Sequence, residues 1–242
     1  MGDNVAALGT LVSKLGRLTR LTEADRTALS SLPITLRGAG NASHLVREGD
    51  AVRECCLLVE GYACRHKLAA GGGRQIVSFH LTGDLLDVQH LLLDVADHNV
   101  QAITPVTIGW IPRDALRRLA KERPAIGAAL WKDSLIDASI FREWVLNVGR
   151  RDALSRIAHM LCEFAARCEA AGLGSFEQFH LPMTQEHIAD ATGLTSVHVN
   201  RMLRTLDREG VLVRAGRDIR IADGARLRSL AEFSPLYLHE AA

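Results

Sequence analysis

Three side chains in one short stretch, Val197, Asn200 and Arg201, have the types and spacing needed to read the edges of stacked bases, and Arg204 shares their face. An arginine forks onto the two acceptors of guanine, an asparagine pairs with the donor and acceptor of adenine, and a valine methyl packs on the methyl of thymine. Ser196 lies on the same face of a helix. Thr184, Gln185 and the amides beside them, together with Thr195 and His198, suit a phosphate, which a helix N-terminus favours through its unpaired N–H groups. This combination points to double-stranded DNA.

Such residues act together only if two short helices hold them. Ile188, Ala189 and Thr192 mark one face of a first helix, and Leu194, Val199, Met202 and Leu203 are expected to turn inward from a second. Thr184 and Thr195 are placed as N-caps. Ala189 is small where the second helix approaches, Gly193 tolerates the left-handed backbone that ends a helix, and Val199 fills the gap between the axes. This is the pattern of a helix-turn-helix. An ordinary helical hairpin is the alternative, and the polar face just described argues against it. From Gly210 to Ile221 apolar and polar residues alternate around Gly216, as in a two-stranded wing, with Arg217 at its turn as a further DNA contact. The basic residues from Arg201 to Arg220 are all arginine, so positive charge is local to this module in a chain whose net charge is only +1.

At 242 residues and 48% hydrophobic, the chain has room for one large or two ordinary domains. No apolar run approaches the roughly 20 residues that span a bilayer, and no cleavable leader is evident, so a cytoplasmic protein without membrane contact is expected. The five cysteines form no CxxC motif and no regular framework, as in a reducing compartment.

The N-terminal half has a different texture. After a helix led by Thr22-Glu23-Ala24-Asp25, short apolar runs from about Pro33 to Pro112 are split by turn residues, as in a small antiparallel barrel or jelly roll. Gly71-Gly72-Gly73 reads as a hairpin turn, because no Lys-Ser or Lys-Thr follows to make a phosphate loop. A long helix then carries two stripes. Leu130, Ser134, Asp137, Phe141, Trp144 and Val148 form one, and Trp131, Leu135, Ala138 and Val145 the other. One can face the barrel and the other a second copy, so a homodimer is expected; Asp137 departs from a regular zipper. Gly149 is expected to break the helix, with a hinge at Arg150-Arg151-Asp152.

Barrel, long helix, helix-turn-helix and wing in this order resemble the Crp/Fnr family of bacterial transcription regulators. Leu57-Leu58-Val59-Glu60-Gly61 and Phe79-His80-Leu81-Thr82-Gly83-Asp84-Leu85 look like two of the family's barrel segments. The resemblance implies an α+β fold: a cyclic-nucleotide-binding-like β-barrel over residues 1–122, a dimerisation helix over 123–149 and a winged helix-turn-helix over 150–242. It implies a homodimer on a palindromic operator, an RNA polymerase contact, and a base-reading helix from Thr195 to Leu203 with Arg201 at its usual arginine. Val197 stands where many members have glutamate, and Asn200 where they have serine or glycine, so a different operator is expected.

Cyclic-nucleotide-binding members present Gly-Glu-Leu followed by Arg-Ser or Arg-Thr. Here Gly83-Asp84-Leu85 keeps part of that, residues 94–100 contain no arginine, and Asp84, Asp87, Asp94 and Asp97 would repel a phosphate. No cyclic AMP binding is expected, and an effector, if there is one, is unknown. An iron-sulfur cluster is not expected either, because the first cysteine is Cys55 and Cys56 must point to the opposite face of its strand. A redox role for Cys55, Cys56 or Cys64 stays open. His80, His90 and His98 form no short ligand motif, so no metal and no cofactor is assigned. The rival reading is an enzymatic or small-molecule-binding barrel with an accessory helical domain; no nucleophile elbow, phosphate loop or zinc motif supports it.

Overall fold

The computed structural model describes residues 2–239 and divides into two compact units, one holding residues up to 67 and 78–138, the other 68–77 and 139–239.

The first unit opens with α1 (Gly2–Leu18), which the sequence reading did not single out. Its Leu8, Leu11, Val12 and Leu15 repeat at helical spacing and are buried. α2 (Glu23–Ser30) starts at the expected Thr22, whose hydroxyl accepts from the Asp25 amide while the Asp25 carboxylate accepts from the Thr22 amide. The barrel strands are β1 (Thr35–Ala39), β2 (His44–Val46), β3 (Glu54–Glu60), β4 (Ala63–Leu68), β5 (Arg74–His80), β6 (Asn99–Ala102) and β7 (Val106–Pro112). They form two sheets, β1-β7-β3 and β2-β6-β4-β5, with the triple glycine at the β4–β5 turn as expected. Strand alternation sorts β3: Cys55 and Leu57 join the core under α1 and α2, while Cys56 and Leu58 join the core between the sheets. The β5–β6 connection contains a 3-10 turn, Val88–Leu91. α3 (Arg113–Glu122), also unforeseen, follows β7 and buries Leu116.

The long helix is α4 (Pro124–Arg150). Gly149 does not interrupt it, since the preference for alanine over glycine, about 1 kcal/mol, is small beside the bonds that carry an established helix through its last turn. The division into compact units falls inside α4, between Ala138 and Ser139. The two stripes fare differently. Trp131, Leu135 and Val145 are exposed; in the other stripe Leu130 and Trp144 are buried, Phe141 is exposed, and Asp137 is ion-paired to Arg65.

In the second unit Asp152 caps α5 (Ala153–Ala170), accepting from the Ser155 amide. The last turns of α4 are fastened to α5 by polar contacts. Trp144 Nε1 donates to both oxygens of the buried Glu163, at 3.0 and 3.1 Å, and Tyr237 donates to the same carboxylate at 2.8 Å. Arg151 reaches Glu143 at 2.6 Å. Burial, aided by Arg151, pushes the His159 imidazole down to about 3. β8 (Gln178–His180), α6 (Gln185–Thr192), α7 (Ser196–Arg208), β9 (Leu212–Ala215), β10 (Asp218–Ile221) and α8 (Gly224–Ala231) complete the unit. The expected hairpin is β9–β10, and β8 adds a third strand on β10. No helix among the described residues is long and apolar enough to cross a membrane.

Candidate nucleic-acid interface

Two threonines start the two helices of the interface. The Thr184 hydroxyl accepts from the His187 amide at 3.2 Å, and the Thr195 hydroxyl accepts from the His198 amide at 3.3 Å. Both side chains therefore satisfy free amides of their own helices, a contribution of about 1 kcal/mol each. Between the helices Gly193 adopts φ 66° and ψ 35°, and its amide donates to the Ala189 carbonyl. Arg156 of α5 donates to the Thr192 carbonyl at 3.1 Å, placing a cation at the negative end of α6. Ile188, Ala189, Val199 and Leu203 are buried as the spacing required.

Met202 and Leu194 depart from expectation. Both are only half-buried, and Met202 lines the outward groove; Leu206, one turn further on, takes the core position. A helical period places residue 202 at the border of the apolar face, so residue type alone misassigns it.

That groove is open and runs along α7 between Gln185 and Arg208. It gathers six of the proposed contacts, Gln185, Ser196, Val197, Asn200, Arg201 and Arg204. Val197 is 82% exposed, so its methyls are free to meet a partner in the groove. Met202, Thr205 and Arg208 also line the groove and were not among the proposed contacts. The signal that would have found Thr205 and Arg208 is the spacing from Val197 and Arg201, continued by one turn. Four proposed residues lie outside the groove. Thr184 and Thr195 are the caps just described, His198 Nε2 lies 3.0 Å from Arg201 Nη2, and Arg217 in the wing turn donates to the Pro182 carbonyl at 2.9 Å. Charge is sorted by pairing: Asp207 lies 3.9 Å from Arg214, Glu209 2.6 Å from Arg226 and Asp190 2.6 Å from Arg74. These three carboxylates thus carry their own counterions, while Arg201, Arg204 and Arg208 of α7 line the groove. Burial, with Arg74 adding to it, lowers the His187 pKa.

The barrel was expected to present neither a cyclic-nucleotide clamp nor a metal site. Asp94 pairs with Arg113 at 2.7 Å and Asp84 with Lys14 at 2.7 Å, so two of the four carboxylates credited with repelling a phosphate are compensated. His90 and His98 stack with centroids 5.6 Å apart, and His80 Nδ1 lies 3.5 Å from Asp84. Among the described residues no group of three or more His, Cys, Asp or Glu is arranged to hold a metal ion. All five cysteines are buried. Burial raises the Cys55 and Cys56 thiols well above their ordinary range and pushes Cys162 and Cys168 up to about 12.

Comparison with known proteins fits this geometry. Residues 155–230 match the model of the Crp-like helix-turn-helix domain, and residues 40–123 that of the cyclic nucleotide-binding domain. The nitrogen fixation regulation protein FixK of Bradyrhizobium diazoefficiens is 31% identical over 72% of this chain and 72% of its own. The chain belongs to the Crp/Fnr family. It is similar to the transcriptional activator protein FnrA of Stutzerimonas stutzeri, at 27% identity over 86% of this chain and 84% of that one. The structure of FixK2 from Bradyrhizobium japonicum superposes with a TM-score of 0.77 and 26% identity, covering 84% of this chain and all of that one. As a Crp/Fnr member the chain is a DNA-binding transcription regulator, and the rival reading as a barrel enzyme finds no counterpart in these relatives.

Proposed function

We propose that the protein acts as a homodimer on a roughly palindromic operator, with α7 in the major groove. The observation that carries this reading is the face of α7, which turns Val197, Asn200, Arg201 and Arg204 into an open groove while Val199, Leu203 and Leu206 anchor the helix from behind. Arg201 reads guanine, Asn200 adenine, and Val197 a thymine methyl; Ser196 and Gln185 flank them. Arg204, Arg217 and the amides capped by Thr184 and Thr195 take phosphates. His198 supports Arg201 through their contact. The exposed α4 residues Trp131, Leu135, Phe141 and Val145 form the dimer surface. Two reading helices then sit about 34 Å apart, one turn of DNA.

Several further assignments complete the reading. The protein is cytoplasmic, contacts RNA polymerase as its resemblance to activators suggests, and takes no cyclic AMP, because Asp94–Val100 offers no guanidinium for the phosphate. No iron-sulfur cluster is assigned, because Cys55 and Cys56 lie in the two different cores on either side of β3 and Cys162 and Cys168 lie on α5. A small-molecule effector of another class would act by preferring the binding-competent dimer.

Selection of bound sequences from a random double-stranded pool, at stated salt and without added ligand, tests the reading. A two-fold symmetric site supports it. Enrichment of an asymmetric or single half-site overturns the homodimer, and no enrichment with a folded dimer overturns ligand-free binding.

A further inference from the structure

Asp137 marks a second role for α4. Asp133 and Asp137 stand one helical turn apart on its inward side, beside the buried Ala129 and Leu130, and each meets a cation from a different element. Lys14 of α1 lies 3.0 Å from Asp133 and 2.7 Å from Asp84. Arg65 of β4 lies 2.6 Å from Asp137 through Nη1, and its Nη2 donates to the Leu86 carbonyl at 2.9 Å. Each cation thus bridges the helix to one end of the turn Asp84-Leu85-Leu86.

The other side of this turn is fastened to β3. The Leu58 amide donates to the Asp84 carbonyl at 2.9 Å, and the Leu86 amide to the Cys56 carbonyl at 2.8 Å. Asp84 also accepts from the Leu81 amide at 3.0 Å. Burial opposes the Lys14 charge, but Asp133 and Asp84 more than offset it, and its pKa is raised. Arg65 and Lys14 are both largely buried. Removing one partner of such an enclosed pair leaves the other charge uncompensated, so the pairs resist being pulled apart.

We propose that Lys14 and Arg65 form a two-point strap that ties the Asp84–Leu86 turn to α4 and thereby fixes how α4 presents its dimer surface. The same turns of α4 that carry Asp133 and Asp137 inward carry Trp131 and Leu135 outward. A helix released from the strap can roll or slide, and the outward residues move with it. This rests on the dimeric regulator reading, and it assigns to the chain's own residues the coupling of barrel to dimer.

The test compares the unmodified chain with D137N, R65M and K14M. Hydrogen exchange is read over residues 84–92 and 130–138, and self-association by sedimentation. Breaking either bridge should speed exchange in both segments and weaken dimerisation by about fivefold or more. D137N is nearly isosteric, so it remains informative if R65M fails to fold. Folded variants that dimerise within about twofold of the parent and exchange alike in both segments would overturn the strap. Operator binding is scored separately: a parent dimer that selects no DNA removes ligand-free operator binding, while the exchange comparison still decides the strap.

Discussion

Arginine does opposite work in two regions of this molecule. In the α7 groove Arg201 and Arg204 are exposed and line an open surface. In the barrel Arg65 is enclosed and divides its guanidinium between a carboxylate and a carbonyl. Exposure leaves a guanidinium able to exchange water for a base edge or a phosphate; enclosure commits it to fixed partners, and losing one leaves the other uncompensated. The residue type is the same, and what stands behind it decides whether it recognises or fastens.

Mutations on the two sides should therefore fail differently. The largest effect is expected beneath the reading face: Leu206→Ala removes a fully buried side chain and should cost about 2–5 kcal/mol of stability, measured by denaturant unfolding. Arg201→Ala should leave stability alone and cost about 1–3 kcal/mol of operator binding with relaxed preference at one base pair per half-site. A uniform loss on all sequences would instead make Arg201 a phosphate contact. Thr184→Ala should lower stability by about 1 kcal/mol, read as a lower melting temperature. Arg204→Ala is the mildest, weakening binding on every sequence and reducing the slope of log K against log salt by about 1.

Acid provides a further contrast. His80, His98, His159 and His187 all have pKa values lowered mainly by burial, His159 to about 3. The unfolded chain binds protons to these imidazoles first, so their contribution is present above the ordinary value of about 6.5 and is lost as pH falls through the folded values. Melting temperature should drop between neutral pH and pH 5, and His159→Gln should flatten that slope. An unchanged slope in a folded His159→Gln would remove this residue from the account.

The helix-turn-helix was legible because its signals are local: two threonine caps, a small residue, a glycine and a branched residue at fixed offsets. The barrel was legible as strands and turns, without its pairing. What escaped was set by distant partners. Asp137 looked like a flaw in an apolar stripe because Arg65 is 72 residues away. Glu163 carried no mark of its link to Tyr237, 74 residues on. β8 spans three residues, too few for alternation to register. Met202 is apolar and so points inward by type, but its angular position on α7 puts it at the groove. Gly149 signals a stop by propensity alone, yet the turns that precede it carry the helix past it to Arg150.

The enclosure of the five thiols gives this molecule a built-in clock. Cys55, Cys56 and Cys64 sit in the first unit and Cys162 and Cys168 in the second, all buried, with burial raising the pKa of Cys55, Cys56, Cys162 and Cys168. An alkylating reagent can reach them only when their surroundings open, so the labelling rate of each group times the opening of its own unit. One native cysteine set thus places probes in both units without a single engineered site.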